Sequence, residues 1–379
     1  MQPLSLYLHI PFCIRKCKYC DFLSFAGTKE QRDGYVEVLC SEIALEAPSF
    51  QEYEVQTIFF GGGTPSLLTG QQVEEIMRSL FHSFHISKEA EISMEVNPGT
   101  ASKENLLAYR RAGINRISIG LQSAVDEQLA MLGRIHTYSQ FLSTYQDAVE
   151  AGFDNINIDL MSALPGQTRE SYLYSMHTVL NLCPRPTHIS AYSLIVEEGT
   201  PFYDLWEQGK LLLPSEEDER GMYEDTLKVL GEQGYARYEI SNYALPGYEC
   251  RHNQVYWTRG EYLGLGLGAA SLVGESRWNN ESDMAQYKAR IEEGRQVADK
   301  ALLSVEEQME EFMFLGLRLV KGVNRMQFEQ TFGVPVESVY GEVLDKHVKN
   351  GLLTVDDTIR LTEKGLDVSN YVMADFLLS

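Results

Sequence analysis

Short apolar runs alternate with longer amphipathic stretches over the first 195 residues of the chain. The runs are rich in Ile, Val and Phe, and several alternate apolar with polar positions, which is the period of a half-buried strand. We predict strands at residues 4–10, 55–61, 90–96, 115–120, 155–160 and 187–193. We predict helices for the amphipathic stretches between them, at residues 30–46, 70–83, 102–112, 138–151 and 168–181. Residues suited to helix ends support these boundaries, namely Ser102 and Thr168 as N-caps and Gly113 and Gly152 at C-terminal ends.

Six β-α repeats of this kind predict parallel strands joined by right-handed helical crossovers. A doubly wound sheet and a barrel both satisfy that pattern. Polar residues and glycines recur at the strand C-terminal ends, for example Gly61, Glu95 and Asp159. Barrels build their sites on that edge, and eight units close a barrel. We therefore predict an α/β fold with a partial (β/α)6 TIM-like barrel, open on one side.

The pattern becomes less regular after residue 195. A helix is predicted over residues 215–232 and a strand over 235–240, followed by a stretch at 242–280 that is rich in glycine, asparagine and aromatic residues. Long irregular segments are usually functional or mobile. We expect this part, residues 196–300, to extend the barrel.

Helical periodicity returns from about residue 301. Helices are predicted at 304–320, 324–332 and 336–349, and two short strands at 352–355 and 359–361 follow them. This order is typical of a winged-helix-like module. No helix in it carries a dense basic face, so we expect a structural or partner-binding role rather than DNA binding. The predicted domains are residues 1–195, 196–300 and 301–379.

Composition and charge exclude several classes of function. The chain has 379 residues, of which 44% are hydrophobic, and a net charge of -22. Such a surface repels phosphate backbones and anionic membranes, and its plainest role is solubility. No apolar run approaches the roughly 20 residues that span a bilayer, and no export signal is evident. We therefore expect a cytoplasmic protein with reduced cysteines and no nucleic-acid partner.

Three cysteines near the start carry the clearest chemistry. Cys13, Cys17 and Cys20 have the spacing C-x3-C-x2-C and lie in a loop with three basic residues. Three thiolates can bind three irons of a [4Fe-4S] cluster and leave the fourth iron open. The nearby cations favour the thiolate form. A zinc site with the same cysteines and His9 is the alternative, although structural zinc sites usually use two separated ligand pairs.

The cysteine loop and the glycine run that follows the next strand, Gly61-Gly-Gly-Thr-Pro65, together resemble the radical S-adenosylmethionine (SAM) superfamily. Glycines let a backbone approach a ligand closely. The resemblance implies that SAM caps the open iron through its amino and carboxylate groups. It also implies a partial barrel of six β-α units, which is the fold that the apolar pattern predicts independently.

A closer resemblance, over essentially the whole chain, is to the HemN/HemW branch of that superfamily, which contains the anaerobic coproporphyrinogen III oxidase-like proteins. Matched motif by motif, it implies the SAM-binding residues Tyr7, Tyr19, Gly62, Gly63, Thr64, Glu95, Gln122, Arg134 and Asp159. Ser193 matches the neighbouring pocket, and Ala270 is a weaker match. The plainer interpretation makes Glu95 and Asp159 strand-end caps and Arg134 a surface charge.

A second motif, His252-Asn-Gln-Val-Tyr-Trp257, resembles the HNxxYW signature of the heme chaperones in that branch. The resemblance implies a heme motif made of His252, Asn253, Tyr256 and Trp257. A neutral imidazole binds heme iron, and aromatic rings pack on a porphyrin. Cys250 is a competing thiolate ligand. Taken alone, His252 is more simply a loop histidine bonded to backbone.

Two functions follow from these motifs. The first is a heme chaperone that binds heme and transfers it to an acceptor protein, with a [4Fe-4S] cluster, SAM and heme as cofactors. Its acceptor could be membrane-associated, but the chain itself needs no membrane segment. The alternative is an oxygen-independent coproporphyrinogen III oxidase-like enzyme of porphyrin biosynthesis. The resemblance gives that enzyme a fourth cysteine, C-x3-C-x2-C-x-C, where this chain has Phe22. Phe22 and the HNxxYW motif favour the chaperone.

Overall fold

The computed structural model describes residues 1–297 and 300–378, so positions 298, 299 and 379 in the predicted second and third domains lie outside it. Its strands are β1 (Gln2–Ile10), β2 (Phe12–Cys13), β3 (Phe25–Ala26), β4 (Tyr53–Gly62), β5 (Ile86–Val96), β6 (Arg116–Gln122), β7 (Asn155–Ser162), β8 (His188–Ser193), β9 (Ala236–Arg237), β10 (Asn242–Ala244), β11 (Tyr262–Leu265), β12 (Ala270–Val273), β13 (Ser276–Asn279), β14 (Ala301–Leu302), β15 (Val323–Asn324), β16 (Leu353–Val355) and β17 (Thr358–Leu361).

The helices connect these strands and form most of the C-terminal part. They are α1 (Lys29–Glu46), α2 (Gly70–Ser83), α3 (Lys103–Ala112), α4 (Asp126–Leu132), α5 (Tyr138–Glu150), α6 (Arg169–Leu180), α7 (Pro201–Glu207), α8 (Glu216–Glu232), α9 (Arg251–Trp257), α10 (Met284–Glu292), α11 (Val305–Gly316), α12 (Arg325–Phe332), α13 (Val336–Lys349), α14 (Glu363–Asp367) and α15 (Ser369–Ala374). Two 3₁₀ segments, Ala47–Phe50 and Pro65–Leu67, follow α1 and β4.

One 12-stranded sheet organises the main body, in the order β14-β13-β12-β11-β1-β4-β5-β6-β7-β8-β10-β9. The strands β1 and β4 to β8 are parallel neighbours, which confirms the six predicted β-α units. All seven positions of β6 are buried, as expected for a parallel strand covered on both faces. Within the described residues β14 and β9 are edge strands, so the barrel is partial, as predicted.

Local sequence explains where the helices begin and end. Capping boxes start α1, α2, α5 and α6, where a threonine side chain accepts a hydrogen bond from the third helical amide. The predicted caps Ser102 and Thr168 act in this way at α3 and α6. Gly113 ends α3 in the left-handed conformation, and Gly152, also left-handed, follows α5 by two residues.

The segment predicted as irregular contains more structure than its sequence pattern suggests. It includes β10, α9, β11, β12 and β13, and β11 extends the sheet in parallel beside β1. The predicted strand at 235–240 shrinks to the two residues of β9, and α4 was not predicted. These elements are seven residues or shorter. Periodicity is not visible over such lengths, which is why the prediction was wrong here.

The C-terminal helices α11 to α13 pack around a separate apolar core that includes Met313, Phe328, Tyr340 and Ile359. A three-stranded sheet of order β15-β17-β16 completes this part, in the arrangement expected of a winged-helix-like module. The first helix ends at Gly316, four residues before the predicted end. Since β13 pairs with β14, the main sheet includes residues up to Leu302. The domain boundaries at residues 195 and 300 stay predictions.

Candidate functional site

The cysteine loop is held at both of its ends. Cys13 ends β2, and β2 pairs in parallel with β3 just beyond Cys20. All three cysteines are free and partly exposed. In the described part of the chain, no group of three or more His, Cys, Asp or Glu side chains is arranged to hold a single metal ion. A four-iron cluster takes each cysteine on a different iron, so its ligands need not converge on one point. Three accessible thiols in one loop are the donors that an iron–sulfur cluster takes as thiolates.

The middle of the loop packs on the C-terminal end of α4. The Lys18 amide donates a hydrogen bond to the Leu132 carbonyl at 3.0 Å, and the Lys18 carbonyl accepts one from the Phe202 amide at 3.0 Å. The Arg15 guanidinium donates to the Gly133 carbonyl at 2.8 Å. A Cβ on Gly133 would lie 3.2 Å from the Lys18 side chain. These contacts hold the cysteine loop against the end of α4, a helix that the sequence pattern did not predict.

The glycine run at the end of β4 lets two backbones approach the same place. A Cβ on Gly63 would lie 2.7 Å from the Phe12 carbonyl oxygen and 2.8 Å from the Ile10 carbonyl oxygen. A Cβ on Gly62, whose φ is +106°, would lie 2.5 Å from the His9 ring. Any side chain at Gly62 or Gly63 would therefore displace the start of the cysteine loop.

His9 connects β1 to the far side of the loop. Its Nε2 lies 2.8 Å from the Leu23 carbonyl oxygen, and its Nδ1 lies 3.1 Å from the Tyr7 hydroxyl. A carbonyl can only accept, so Nε2 carries the proton and Nδ1 accepts from Tyr7. Burial lowers the pKa of His9, which favours this neutral form. Both ring nitrogens are engaged, which disfavours the alternative zinc site that would need one of them.

Two of the cysteines belong to one hydrogen-bonded circuit. The Thr64 hydroxyl donates to Cys13 Sγ at 3.5 Å and accepts from Asn97 Nδ2 at 2.8 Å. The Asn97 Oδ1 accepts from Arg134 at 2.7 Å, and Arg134 also donates to Cys17 Sγ at 3.8 Å. Arg134 is thus directed inward rather than being a surface charge. Asn97 was missed as a site residue, although it lies in the same motif as Glu95.

Two carboxyl groups, Glu95 on β5 and Asp159 on β7, share the inner face of the barrel. Burial raises the pKa of Glu95 to about 8, and the charge of Asp159 adds to that effect. Burial also raises the pKa of Asp159, against the hydrogen bond of 2.7 Å that Asn157 Nδ2 donates to it. Neither group is a solvated strand-end cap. Burial therefore favours the protonated form of both carboxyl groups relative to a solvated one, and the effect on Glu95 is large.

Gln122 and Ser193, two further predicted pocket residues, lie at the ends of β6 and β8, whereas Tyr19 lies in the cysteine loop. Gln122 has a φ of +73°, which is rare outside glycine and often marks a functional position. Its Oε1 accepts from the Tyr192 hydroxyl at 2.9 Å. The Ser193 hydroxyl bonds to Ser162 at 3.0 Å. Burial raises the pKa of Tyr19, which keeps its phenol neutral.

Ala270, the weakest of the motif matches, begins β12 rather than lining the ends of the six barrel strands. Its carbonyl oxygen lies where a Cβ on Gly264 would be, and Gly264 is the register partner of Tyr7. Ala270 therefore packs against β11, which separates β12 from the strand that carries Tyr7.

The HNxxYW motif forms helix α9, which closes the opposite end of the barrel. His252 is 1% exposed and stacks on Phe59 with ring centroids 5.1 Å apart. Its Nδ1 lies 2.7 Å from the Thr57 hydroxyl and its Nε2 lies 2.9 Å from the Tyr256 hydroxyl. Burial lowers the pKa of His252 to about 3. His252 is therefore a neutral histidine on a buried helix, not a loop histidine bonded to backbone.

The Glu91 carboxylate caps this helix. It accepts from the amides of Arg251 at 3.0 Å and His252 at 3.1 Å, and from the Cys250 thiol at 3.5 Å. Burial raises the pKa of Cys250 to about 12. The thiol thus stays protonated and sequestered, which disfavours Cys250 as a competing thiolate ligand. Through these hydrogen bonds Glu91, which lies on β5, attaches the N-terminus of α9 to the end of the barrel opposite the cysteine loop.

The last residue of the motif, Trp257, faces the C-terminal module. The Arg318 guanidinium lies 4.3 Å from the centre of its indole ring, a cation–π contact. Trp257 also lines a cavity of about 270 Å³ together with Phe312 and Val323. Asn253 is half-buried on the same helix. The four motif residues thus share one helix but not one surface.

The two predicted sites lie at different depths of the barrel. The cysteine circuit lies at the C-terminal ends of the strands, beyond Gly62, whereas His252 bonds to Thr57 on the same strand. Five residues of extended strand correspond to about 16 Å. Phe22, in the position of the fourth cysteine of the enzyme, is 59% exposed at the rim of the cysteine loop.

Comparison with known proteins places this geometry in a family. The family model "Radical SAM superfamily" matches residues 7–179 and the model "HemN C-terminal domain" matches residues 303–368. The heme chaperone HemW of Lactococcus lactis is 38% identical over 100% of this chain and 98% of its own length. The heme chaperone HemW of Bacillus subtilis is 37% identical over 98% of this chain and 99% of its own length.

Among solved structures, coproporphyrinogen III oxidase (HemN) from Escherichia coli, described as a radical SAM enzyme, has a TM-score of 0.87. It is 26% identical, and the match covers 100% of this chain and 90% of that one. Among the described residues, no helix combines the length and apolarity that crossing a membrane requires.

Proposed function

This chain belongs to the HemW family of radical SAM proteins, and we therefore propose that it binds heme and transfers it to an acceptor protein. The observation that carries the proposal is the end-to-end match to relatives named as heme chaperones, which includes the cysteine loop, α9 and the C-terminal module. A cytoplasmic location and a heme-accepting protein partner are parts of this proposal.

The family implies a [4Fe-4S] cluster and SAM, and the residues present fit both groups. We propose that Cys13, Cys17 and Cys20 hold the cluster, because they are accessible, reduced and fixed in one loop. A bound cluster would supply electrons and an open iron for SAM. The chain would supply the surrounding pocket, made of Tyr7, Tyr19, Gly62, Gly63, Thr64, Glu95, Gln122, Arg134 and Asp159.

The tautomer of His252 supports its proposed role as a heme ligand. The Thr57 hydroxyl donates to Ser5 at 2.7 Å, so it accepts from Nδ1–H of His252. The Nε2 lone pair then points at the Tyr256 hydroxyl. Histidine ligands of metals typically donate one ring N–H to the protein and bind the metal through the other nitrogen. We propose that heme iron takes the place of the Tyr256 hydroxyl.

Such binding requires movement, because His252 is buried. The Tyr256 hydroxyl must leave Nε2, and α9 must separate from the barrel base at least at its C-terminal half. The cavity beside Trp257 lies at that end of the helix. Heme uptake through His252 is therefore coupled to displacement of α9.

The similarity of the whole fold to HemN favours a second candidate, an enzyme that oxidatively decarboxylates coproporphyrinogen III. Phe22 argues against it, because an exposed phenylalanine cannot replace a thiolate. An anaerobic incubation of the reconstituted protein with coproporphyrinogen III, SAM, a low-potential reductant and an electron acceptor decides between them. We expect no protoporphyrinogen IX, and its formation at turnover would contradict a chaperone without enzymatic activity.

Heme titration of the anaerobically reconstituted protein, with and without SAM, tests the main proposal. We expect a Soret band that saturates in the wild type and is weakened or shifted in His252→Ala. The control is His177→Ala, because His177 is exposed on α6 and touches neither site. Circular dichroism would check that both variants fold. The absence of a Soret band in the wild type would contradict the proposal that this chain binds heme.

A further inference from the structure

We propose that Asn97 is a positioning residue for the cluster, because its side-chain amide joins the two donors that reach Cys13 and Cys17. The inference rests on the proposed cluster assignment of those cysteines. Thr64 lies on one side of the amide and Arg134 on the other. Nothing in the spacing of the cysteines points to this residue, which lies 77 positions beyond Cys20.

The direction of each hydrogen bond in the circuit follows from chemistry alone. A guanidinium can only donate, so the oxygen of the Asn97 amide must face Arg134. The amide nitrogen must then face Thr64 and donate to its hydroxyl oxygen. The Thr64 hydroxyl hydrogen is thereby left free to donate to Cys13 Sγ. One amide orientation thus directs a donor toward each of two ligand sulfurs.

Hydrogen bonds to the backbone of Asn97 hold its side chain in position. The Asn97 backbone N–H donates to the Ser66 hydroxyl at 3.0 Å, and the Asn97 backbone carbonyl accepts from the Thr100 hydroxyl at 2.7 Å. Arg134 also donates to the Gly120 carbonyl at 2.7 Å. A Cβ on Gly120 would lie 3.1 Å from both Arg134 Nη2 and Asn97 Oδ1. The absence of a side chain at Gly120 therefore leaves room for the circuit.

Hydrogen bonds to ligand sulfurs stabilise negative charge on a cluster and so raise its reduction potential. Asn97 controls two such donors without touching either sulfur. We infer that it sets the potential through Thr64 and orders both cysteines before the cluster binds.

The substitution Asn97→Asp keeps the size of the side chain but replaces the donor nitrogen with an acceptor oxygen. The Thr64 hydroxyl must then donate to the new carboxylate and abandon Cys13. The added negative charge lowers the cluster potential by itself, so the same substitution is also made in a Thr64→Val background. In the Thr64→Val background the added charge still acts on the cluster, but the hydrogen bond from residue 64 to Cys13 is already absent.

The measurement is the cluster reduction potential from an EPR-monitored titration of reconstituted protein without SAM, together with iron content and Tm. We expect a negative shift for Asn97→Asp that is smaller in the Thr64→Val background, and no shift for the control Asn105→Asp on α3. Equal shifts in both backgrounds would reduce the effect to charge and overturn the proposal, as would no shift at all.

Iron content and Tm distinguish the remaining outcomes. Loss of the cluster from Asn97→Asp with an unchanged Tm supports the positioning role, whereas a matching fall in Tm assigns Asn97 to folding and overturns it. If the wild type itself binds no cluster, or if Cys→Ala changes leave its iron content unaltered, the proposed cluster assignment fails instead. The two failures are therefore distinguishable.

Discussion

The Tyr256 hydroxyl is hydrogen-bonded to His252 Nε2, which is the nitrogen proposed to bind heme iron. The substitution Tyr256→Phe therefore tests whether the hydroxyl competes with the iron. The hydroxyl lies 2.9 Å from His252 Nε2. The two rings meet edge to face, with centroids 5.2 Å apart. Phenylalanine keeps this ring contact and removes one oxygen atom.

Two opposite effects follow from the loss of that oxygen. A buried polar atom left without its partner costs about 1–3 kcal/mol, so we expect the free energy of unfolding to fall by that amount. The same hydrogen bond must break before heme iron reaches Nε2, and the variant no longer has it. A gain of about 1.4 kcal/mol corresponds to roughly tenfold tighter heme binding. The variant should therefore be less stable and bind heme more tightly.

Urea denaturation at neutral pH measures the first effect, and heme titration followed at the Soret band measures the second. Tyr174→Phe is the matched control, since Tyr174 is 56% exposed on α6 and should change neither quantity. Weaker heme binding by Tyr256→Phe, at unchanged stability, would contradict the proposed competition between the hydroxyl and heme iron. It would show that the hydroxyl contacts heme rather than competing with it.

Three other predictions concern α9 and the loop. Glu91→Gln should accelerate backbone hydrogen exchange in residues 251–257, because a neutral glutamine side chain caps the helix less well than a carboxylate. Unchanged exchange would show that the charge of Glu91 does not stabilise α9. Gly63→Ala should abolish cluster loading, seen as lost iron and lost visible absorbance, because a Cβ on Gly63 would lie 2.7 Å from the Phe12 carbonyl oxygen and displace the cysteine loop. Full iron content in this variant would show that the loop tolerates a side chain there. Burial lowers the pKa of His252 from its ordinary value of 6.5 to about 3 in the folded protein. As pH falls below 6.5, the unfolded chain therefore takes up a proton on His252 before the folded protein does. The free energy of unfolding should decrease as pH falls from 6.5 toward 3. Urea midpoints between pH 6.5 and 5 should fall less steeply in His252→Gln, and equal slopes would show that His252 does not titrate in this way.

The barrel was predictable because its strands and helices are long enough for periodicity to show. The six strands and five intervening helices appear where the apolar pattern places them, with differences of a few residues at their ends. The placement of Gly61, Glu95 and Asp159 toward one edge of the sheet followed from parallel strands ending at that edge. The C-terminal module was recognisable for the same reason.

Short elements escaped prediction, and so did the contacts they make. Helix α9 has seven residues, too few to show a buried face. Its burial depends on Glu91 and Thr57, which precede it by more than 150 positions in the chain. A pattern within a short stretch of sequence cannot show that His252 contacts residues so far away in the chain.

The amino-acid sequence is enough to predict the repeating α/β fold and to identify the three cysteines and the two motifs that resemble a known family, because each of these is local in the chain. The folded structure adds that His252 is buried with both nitrogens bonded, and that Asn97 joins Thr64 to Arg134 beside the cysteine loop. These contacts could not be predicted, because a hydrogen bond depends on distance and direction in space. Both become defined only when distant strands pack side by side.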